Sequence, residues 1–88
     1  MKTAFRESFA RDLRQLRQPE VRARVKQVIE AVERAAGPAE IPQLRKLRST
    51  GAYFRIRIGD YRLGLVIEGD QATLVRILHR REIYRFFP

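Results

Sequence analysis

The stretch "YFRIRIGDYRLG", Tyr53 to Gly64, reads as a β-hairpin and constrains the rest of the chain. Phe54, Ile56 and Ile58 alternate with Tyr53, Arg55 and Arg57. After Gly59-Asp60 the alternation resumes, with Tyr61, Leu63, Leu65 and Ile67 against Arg62, Gly64 and Val66. A period of two marks a strand with one buried face, and a two-residue loop beginning with Gly joins such strands tightly. Pairing outward from the turn sets Ile58 opposite Tyr61, Arg57 opposite Arg62 and Arg55 opposite Gly64. The core face is then Phe54, Ile56, Ile58, Leu63 and Leu65, and Arg55, Arg57 and Arg62 project from the other. Like charges directly opposite each other destabilise a strand pair. Glycine inside a strand often marks close approach by a ligand or backbone, so three guanidiniums are expected around a gap at Gly64. A phosphate there would turn repulsion into shared attraction, because guanidinium pairs bidentately with phosphate oxygens.

Elements with other periods flank the hairpin. "KTAF" at 2–5 is expected as a short strand. Phe5, Phe9, Leu13 and Leu16 recur at helical spacing over Arg6 to Leu16. Pro19 suits the first position of a second helix, with Glu20 near its positive end. Val21, Val25, Val28, Ile29 and Val32 form its apolar stripe, and Gly37-Pro38 is expected to stop it. "AEIPQLRKLRSTG" is read as a connection with one helical turn that brings Leu44 and Leu47 together. "EGDQ" makes a second turn, "ATLVRILH" a further strand, and "RREIYRFFP" a short helical turn over a sheet edge. The expected fold is α+β: an N-terminal strand and a helical hairpin on a small antiparallel sheet, in the order β-α-α-β-β-β with a short C-terminal tail or helix. Residues 1–88 are expected to form a single domain, with no internal repeat or linker.

Charge narrows the partners. The net charge is +9, and the excess is uneven: +3 over residues 1–44 and +6 over residues 45–88, the half with the hairpin. Such a field favours nucleic acid or an acidic protein. There is no cysteine and one histidine, so neither a thiolate site nor a histidine-rich metal site is expected. The first residues lack the apolar run of a signal peptide, and no stretch approaches the length of a membrane span. A cytoplasmic protein without cofactor or metal is expected. "LHRREIYRFFP" brings His79, Arg80, Arg81 and Tyr84 to the end of the last strand, expected beside the arginine face. His79 has the one side chain whose ordinary pKa lies near neutrality, and is the natural proton carrier. Tyr84 could stack on a nucleobase or pack with Ile83 and Phe87.

With "FARDLRQL" in the first helix, "LRKLRSTGAYFRIRIGDYRLGLVI" through the hairpin and "RILHRREIYRF" at the end, the chain resembles the RelE/ParE superfamily of toxin–antitoxin toxins, RelE-like branch, over nearly its whole length. The resemblance implies a small toxin held in check by an acidic, RelB-like antitoxin, through which the complex binds operator DNA. It implies cleavage of messenger RNA in the ribosomal A site without a metal, by attack of a ribose 2′-OH on its own 3′-phosphate. Arg55 and Arg57 look like the family's first two basic strand positions and Arg62 like the following arginine. Arg80 or Arg81 and Tyr84 look like its late basic and aromatic residues, and Arg45, Lys46 and Arg48 extend the phosphate-binding set. The best-known RelE pattern has lysines at the first two positions. Arginine effectively never gives up its proton, so Arg55 and Arg57 are poor candidates for a general base. Either His79 takes that role or catalysis rests on charge stabilisation and positioning. The competing readings are a ParE-like inhibitor of DNA gyrase and a non-catalytic nucleic-acid-binding module.

Overall fold

A computed structural model describes residues 1–48 and 51–88. Among the described residues nine elements follow in chain order: strand β1 (Lys2–Phe5), helices α1 (Glu7–Gln15) and α2 (Pro19–Arg34), a 3-10 turn (Pro38–Glu40), strands β2 (Leu44–Lys46), β3 (Tyr53–Ile58), β4 (Tyr61–Glu68) and β5 (Gln71–His79), and the single-turn helix α3 (Ile83–Phe86). The strands form one sheet in the order β1-β5-β4-β3-β2. Phe9, Val25 and Val32 from the two long helices, with Leu16 at the end of α1, bury against Ile56, Ile58, Leu63, Leu65, Leu74 and Ile77 of the sheet. Val21, Val28, Ile29 and Phe54 pack at the margin of this core. The expected α+β architecture is therefore present, with three differences.

The connection before the hairpin holds a strand, not a helical turn joining Leu44 and Leu47. β2 pairs antiparallel with β3, setting Leu44 opposite Ile56 and Arg45 opposite Arg55. Sheet pairing satisfies backbone groups on the open edge of β3 and still turns Leu44 to the core, so the ladder prevails over local helical preference. The second difference is parallel pairing of β1 with β5, from Lys2↔Gln71 to Phe5↔Leu74. The third is the end of α2. Gly37 is extended (φ −166) rather than left-handed, and the helix stops at Ala35. The Met1 ammonium donates to the carbonyl oxygens of Val32, Glu33 and Ala35 at 3.2, 2.9 and 2.6 Å, taking acceptors that a helix end leaves unpaired.

Beyond Leu74, β1 no longer covers β5, and α1 takes its place along that edge. Ser8 Oγ donates to the Val75 carbonyl at 2.6 Å, and the Ile77 N–H donates to Asp12 Oδ2 at 3.1 Å. Here β5 carries a bulge: Gly64 pairs with Arg76, but Leu65 pairs with Leu74, leaving Val75 as an extra residue. A bulge reverses the alternation of everything after it. Ile77 and His79 consequently turn to the helix side, opposite Leu63 and Tyr61.

Candidate functional site

The Gly59-Asp60 turn sets the register of the β3–β4 hairpin, with Gly59 left-handed at φ +58. Strand pairing places Ile58 opposite Tyr61, Arg57 opposite Arg62 and Arg55 opposite Gly64, as the alternation predicts. β2 adds Arg45 across from Arg55 on the same face. Two pairs of arginines therefore face each other in adjacent rows on the side of the sheet away from α1 and α2.

Arg62 is the centre of this group. Its Nη1 donates to the Gly59 and Tyr61 carbonyl oxygens at 2.8 and 2.9 Å, which holds the guanidinium over the turn. Both bonds come from one nitrogen, leaving Nε and Nη2 without a partner among the described residues. The pKa of Arg62 is lowered from its ordinary value, first by loss of solvent and then by the charges of Arg55 and Arg57; Tyr84 opposes the shift and Arg80 adds to it. A depressed guanidinium pKa means that the cation is less comfortable here than in water, and a bound anion would reverse the effect. Arg55 Nε is buried with no acceptor among the described residues.

Arg80 reaches the site from the end of β5. Its N–H donates to the Asp60 carbonyl at 2.7 Å, and its Nε lies 4.0 Å from Asp60 Oδ1, an exposed pair. Tyr84 on α3 is 58% exposed, so its ring is free to stack, while its neighbours Ile83 and Phe87 are buried. These two side chains anchor the C-terminal segment across the open face of the sheet. The gap expected at Gly64 is closed: a Cβ built there would stand 2.6 Å from Phe87 Cδ2. The empty position accommodates the chain's own phenylalanine rather than a ligand.

Other sequence-predicted residues lie apart from Arg62. His79 is on the helix side of the sheet, its ring edge-on to Tyr61 at 5.5 Å, in a recess shared with Asp12, Gln15 and Leu16. Its Nδ1 accepts the Arg81 N–H at 3.2 Å. The bulge at Val75 is the cause: without the extra residue, His79 would alternate onto the arginine face. Arg81 is exposed in the turn and is not among the charges that shift the Arg62 pKa. Lys46 pairs with Phe54 and so faces the helix side, and Arg48 is exposed beyond the end of β2. The joint site is Arg55, Arg57, Arg62, Arg80 and Tyr84, with Arg45 at its border.

The sequence reading missed the pair of Asp12 and Arg76. Arg76 Nε and Nη2 donate to the two carboxylate oxygens of Asp12 at 2.7 and 3.0 Å, and this hydrogen-bonded pairing raises the Arg76 pKa against a desolvation effect that lowers it. Asp12 is buried and Arg76 mostly so. No local pattern joins residues 64 positions apart. This arginine is committed to the fold, and its guanidinium also lies 5.4 Å from the centroid of the Phe86 ring.

Guanidiniums converging from three strands, one of them held in place and short of solvent, can bind a phosphodiester and stabilise charge that builds on it. Among the described residues no three His, Cys, Asp or Glu side chains come together as a metal site, and no helix is long and apolar enough to cross a membrane.

Comparison with known proteins adds to this geometry. The family model described as the ParE toxin of the type II toxin–antitoxin system, parDE, matches residues 4–84. Toxin RelE3 of Methanocaldococcus jannaschii is 34% identical over 89 residues, spanning the whole of both chains. Among solved structures, the RelB–RelE antitoxin–toxin complex from Methanococcus jannaschii superposes with a TM-score of 0.79 at 31% identity, covering 97% of this chain and 99% of that one. The archaeal RelE–RelB complex from Pyrococcus horikoshii gives a TM-score of 0.74 at 20% identity over 93% and 97%, a likeness of fold.

Proposed function

Since the chain belongs to the RelE/ParE superfamily and is a RelE-family toxin of a type II toxin–antitoxin system, we propose that it is an endoribonuclease that cuts messenger RNA in the ribosomal A site and so halts translation in the cytoplasm. The observation that carries this reading is the convergence of Arg55, Arg57, Arg80 and Tyr84 on Arg62.

The reaction is internal to the RNA. The 2′-oxygen bonds to the adjacent phosphorus as its proton departs, the bond from phosphorus to the 5′-oxygen breaks, and that oxygen takes up a proton. The products are a 2′,3′-cyclic phosphate and a 5′-OH end. The protein supplies no nucleophile; it aligns attacking and leaving oxygens and stabilises charge on the crowded phosphoryl centre. Arg62, held by the Gly59 and Tyr61 carbonyls, offers its free nitrogens to the phosphoryl oxygens. Arg55 and Arg57 orient the strand, Arg80 lies toward the leaving oxygen, and Tyr84 holds a base by stacking. With His79 on the far side of the sheet, catalysis rests on positioning and charge, and solvent carries the protons.

An acidic RelB-like antitoxin is the partner this reading requires, and it would neutralise the toxin by laying carboxylates or backbone over the arginine face. Operator DNA would be bound through the antitoxin. Support comes from the similar toxins solved as RelB–RelE complexes. The family model is described as a ParE toxin, and the reading that a ParE-like activity would give is inhibition of DNA gyrase. Mapping transcript 5′ ends after brief induction separates the two: cuts in phase with the reading frame support the nuclease, and intact messages with damaged DNA support the gyrase poison.

A further inference from the structure

The hairpin tip has a second basic recess on its outer flank. β2 covers β3 only as far as Ile56, so Arg57 sits on an open edge where α2 passes close by. Arg24, Gln43, Arg57 and Gly59 line a cavity of about 270 Å³ there. Arg24 Nη1 lies 2.9 Å from where a Cβ on Gly59 would stand, so any side chain on that turn residue would intrude on the guanidinium. Gln43, at φ +63, is the one non-glycine residue with a positive φ among the described residues. Such a strained backbone tends to cluster at functional sites. Neither Arg24 nor Arg57 makes a salt bridge among the described residues, whereas Arg76, Arg80 and Arg85 each do.

We propose that this recess is a second phosphodiester site, in which Arg24 and Arg57 grip the RNA strand beyond the reacting phosphate. Both residues that bring charge to this cavity are cationic and neither has a counter-charge among the described residues, so an anion entering it meets two unpaired guanidinium groups. Since a water molecule's share of liquid volume is about 30 Å³, the space accommodates a phosphate group with several waters. Arg57 belongs to both sites, so the strand's path bends from Arg62 around the Gly59 turn to α2. The glycine is gripped on two sides, its carbonyl by Arg62 and its Cα flank by Arg24. The inference rests on the nuclease reading for the identity of the strand, but the recess and its charges do not.

The test follows the arginine Nε resonances by NMR, titrating the full chain first with inorganic phosphate and then with a 2′-O-methyl oligoribonucleotide that cannot be cleaved. Shifts at Arg24 and Arg57 with both ligands are expected. Arg24→Gln should weaken oligonucleotide binding several-fold and reduce the slope of log affinity against log salt by about 0.7, the single-strand value per phosphate. Arg17→Gln, which removes the same charge from the exposed segment between the helices, should leave the slope unchanged. An unaltered slope in Arg24→Gln, or shifts with inorganic phosphate alone, would overturn the proposal. If Arg24 and Arg57 respond to the oligonucleotide but induction leaves messages uncut, the site stands and the nuclease reading falls.

Discussion

The ring of Phe87 rests on Gly64, with its Cδ2 2.6 Å from the position a Cβ would occupy. This contact seats the segment that carries Tyr84, because Phe87 and Ile83 are the buried residues of the tail and Phe87 packs on Gly64 in the face that bears Arg62. Gly64→Ala should displace the ring, cost about 1–3 kcal/mol as overpacking does, and impair toxicity by misplacing Tyr84. Phe87→Ala should cost about 3–5 kcal/mol. In that background Gly64→Ala should cost much less, since the clash is gone. Urea denaturation of the four proteins measures the coupling, and strict additivity would show that the tail does not depend on this contact.

Arg62→Ala should remove about 10²–10³-fold of the cleavage rate, the range seen when a preorganised charge-stabilising donor is lost. Stability should change by less than about 1 kcal/mol, because two hydrogen bonds are lost while desolvation and repulsion from Arg55 and Arg57 are relieved. Arg62→Lys should not restore the rate, since an ammonium cannot span two carbonyls and a phosphate in the same plane. A folded Arg62→Ala protein with undiminished toxicity would remove this residue from the mechanism.

His79→Gln should leave cleavage nearly intact. A proton carrier would forfeit about 10²–10⁴-fold, and the pH dependence of the rate would differ between wild type and the variant. Single-turnover cleavage from pH 5.5 to 8.5 checks both points. A histidine limb in wild type that disappears in the variant would show that His79 reaches the RNA.

Asp12→Ala should destabilise the fold by about 3–5 kcal/mol, because it strands the Arg76 guanidinium in a largely buried position and leaves the Ile77 N–H without its acceptor. Replacing Arg76 by Met at the same time should recover part of the loss. Thermal melts decide it; a single variant melting with wild type would make the pair incidental.

Much of the site was legible because its instructions are local. The turn at Gly59, the alternation on either side of it and the arginine spacing are properties of neighbouring residues, and together they specify which side chains share a face. Arg57 opposite Arg62 follows from counting outward from the turn, and so does Arg55 opposite Gly64. Family membership was likewise readable from the hairpin and the terminal "HRREIYR".

Residues whose placement depends on distant partners were not readable. The missing side chain at Gly64 reads as room for a ligand, but Phe87, 23 positions later, occupies that space. His79 has the right chemistry and a nearby sequence position, but the extra residue at Val75 turns it to the opposite side of the sheet. Arg76 has the same side chain as Arg62, yet Asp12 commits it to the fold.

The chain's own residue order determined the hairpin, its two faces and the row of arginines on one of them, because strand alternation and turn chemistry act over a few residues. Tertiary structure alone decided which charges remain free to meet an anion. That choice depends on the bulge, the overlying tail and the buried carboxylate, and these form only when segments far apart in sequence compete for the same space.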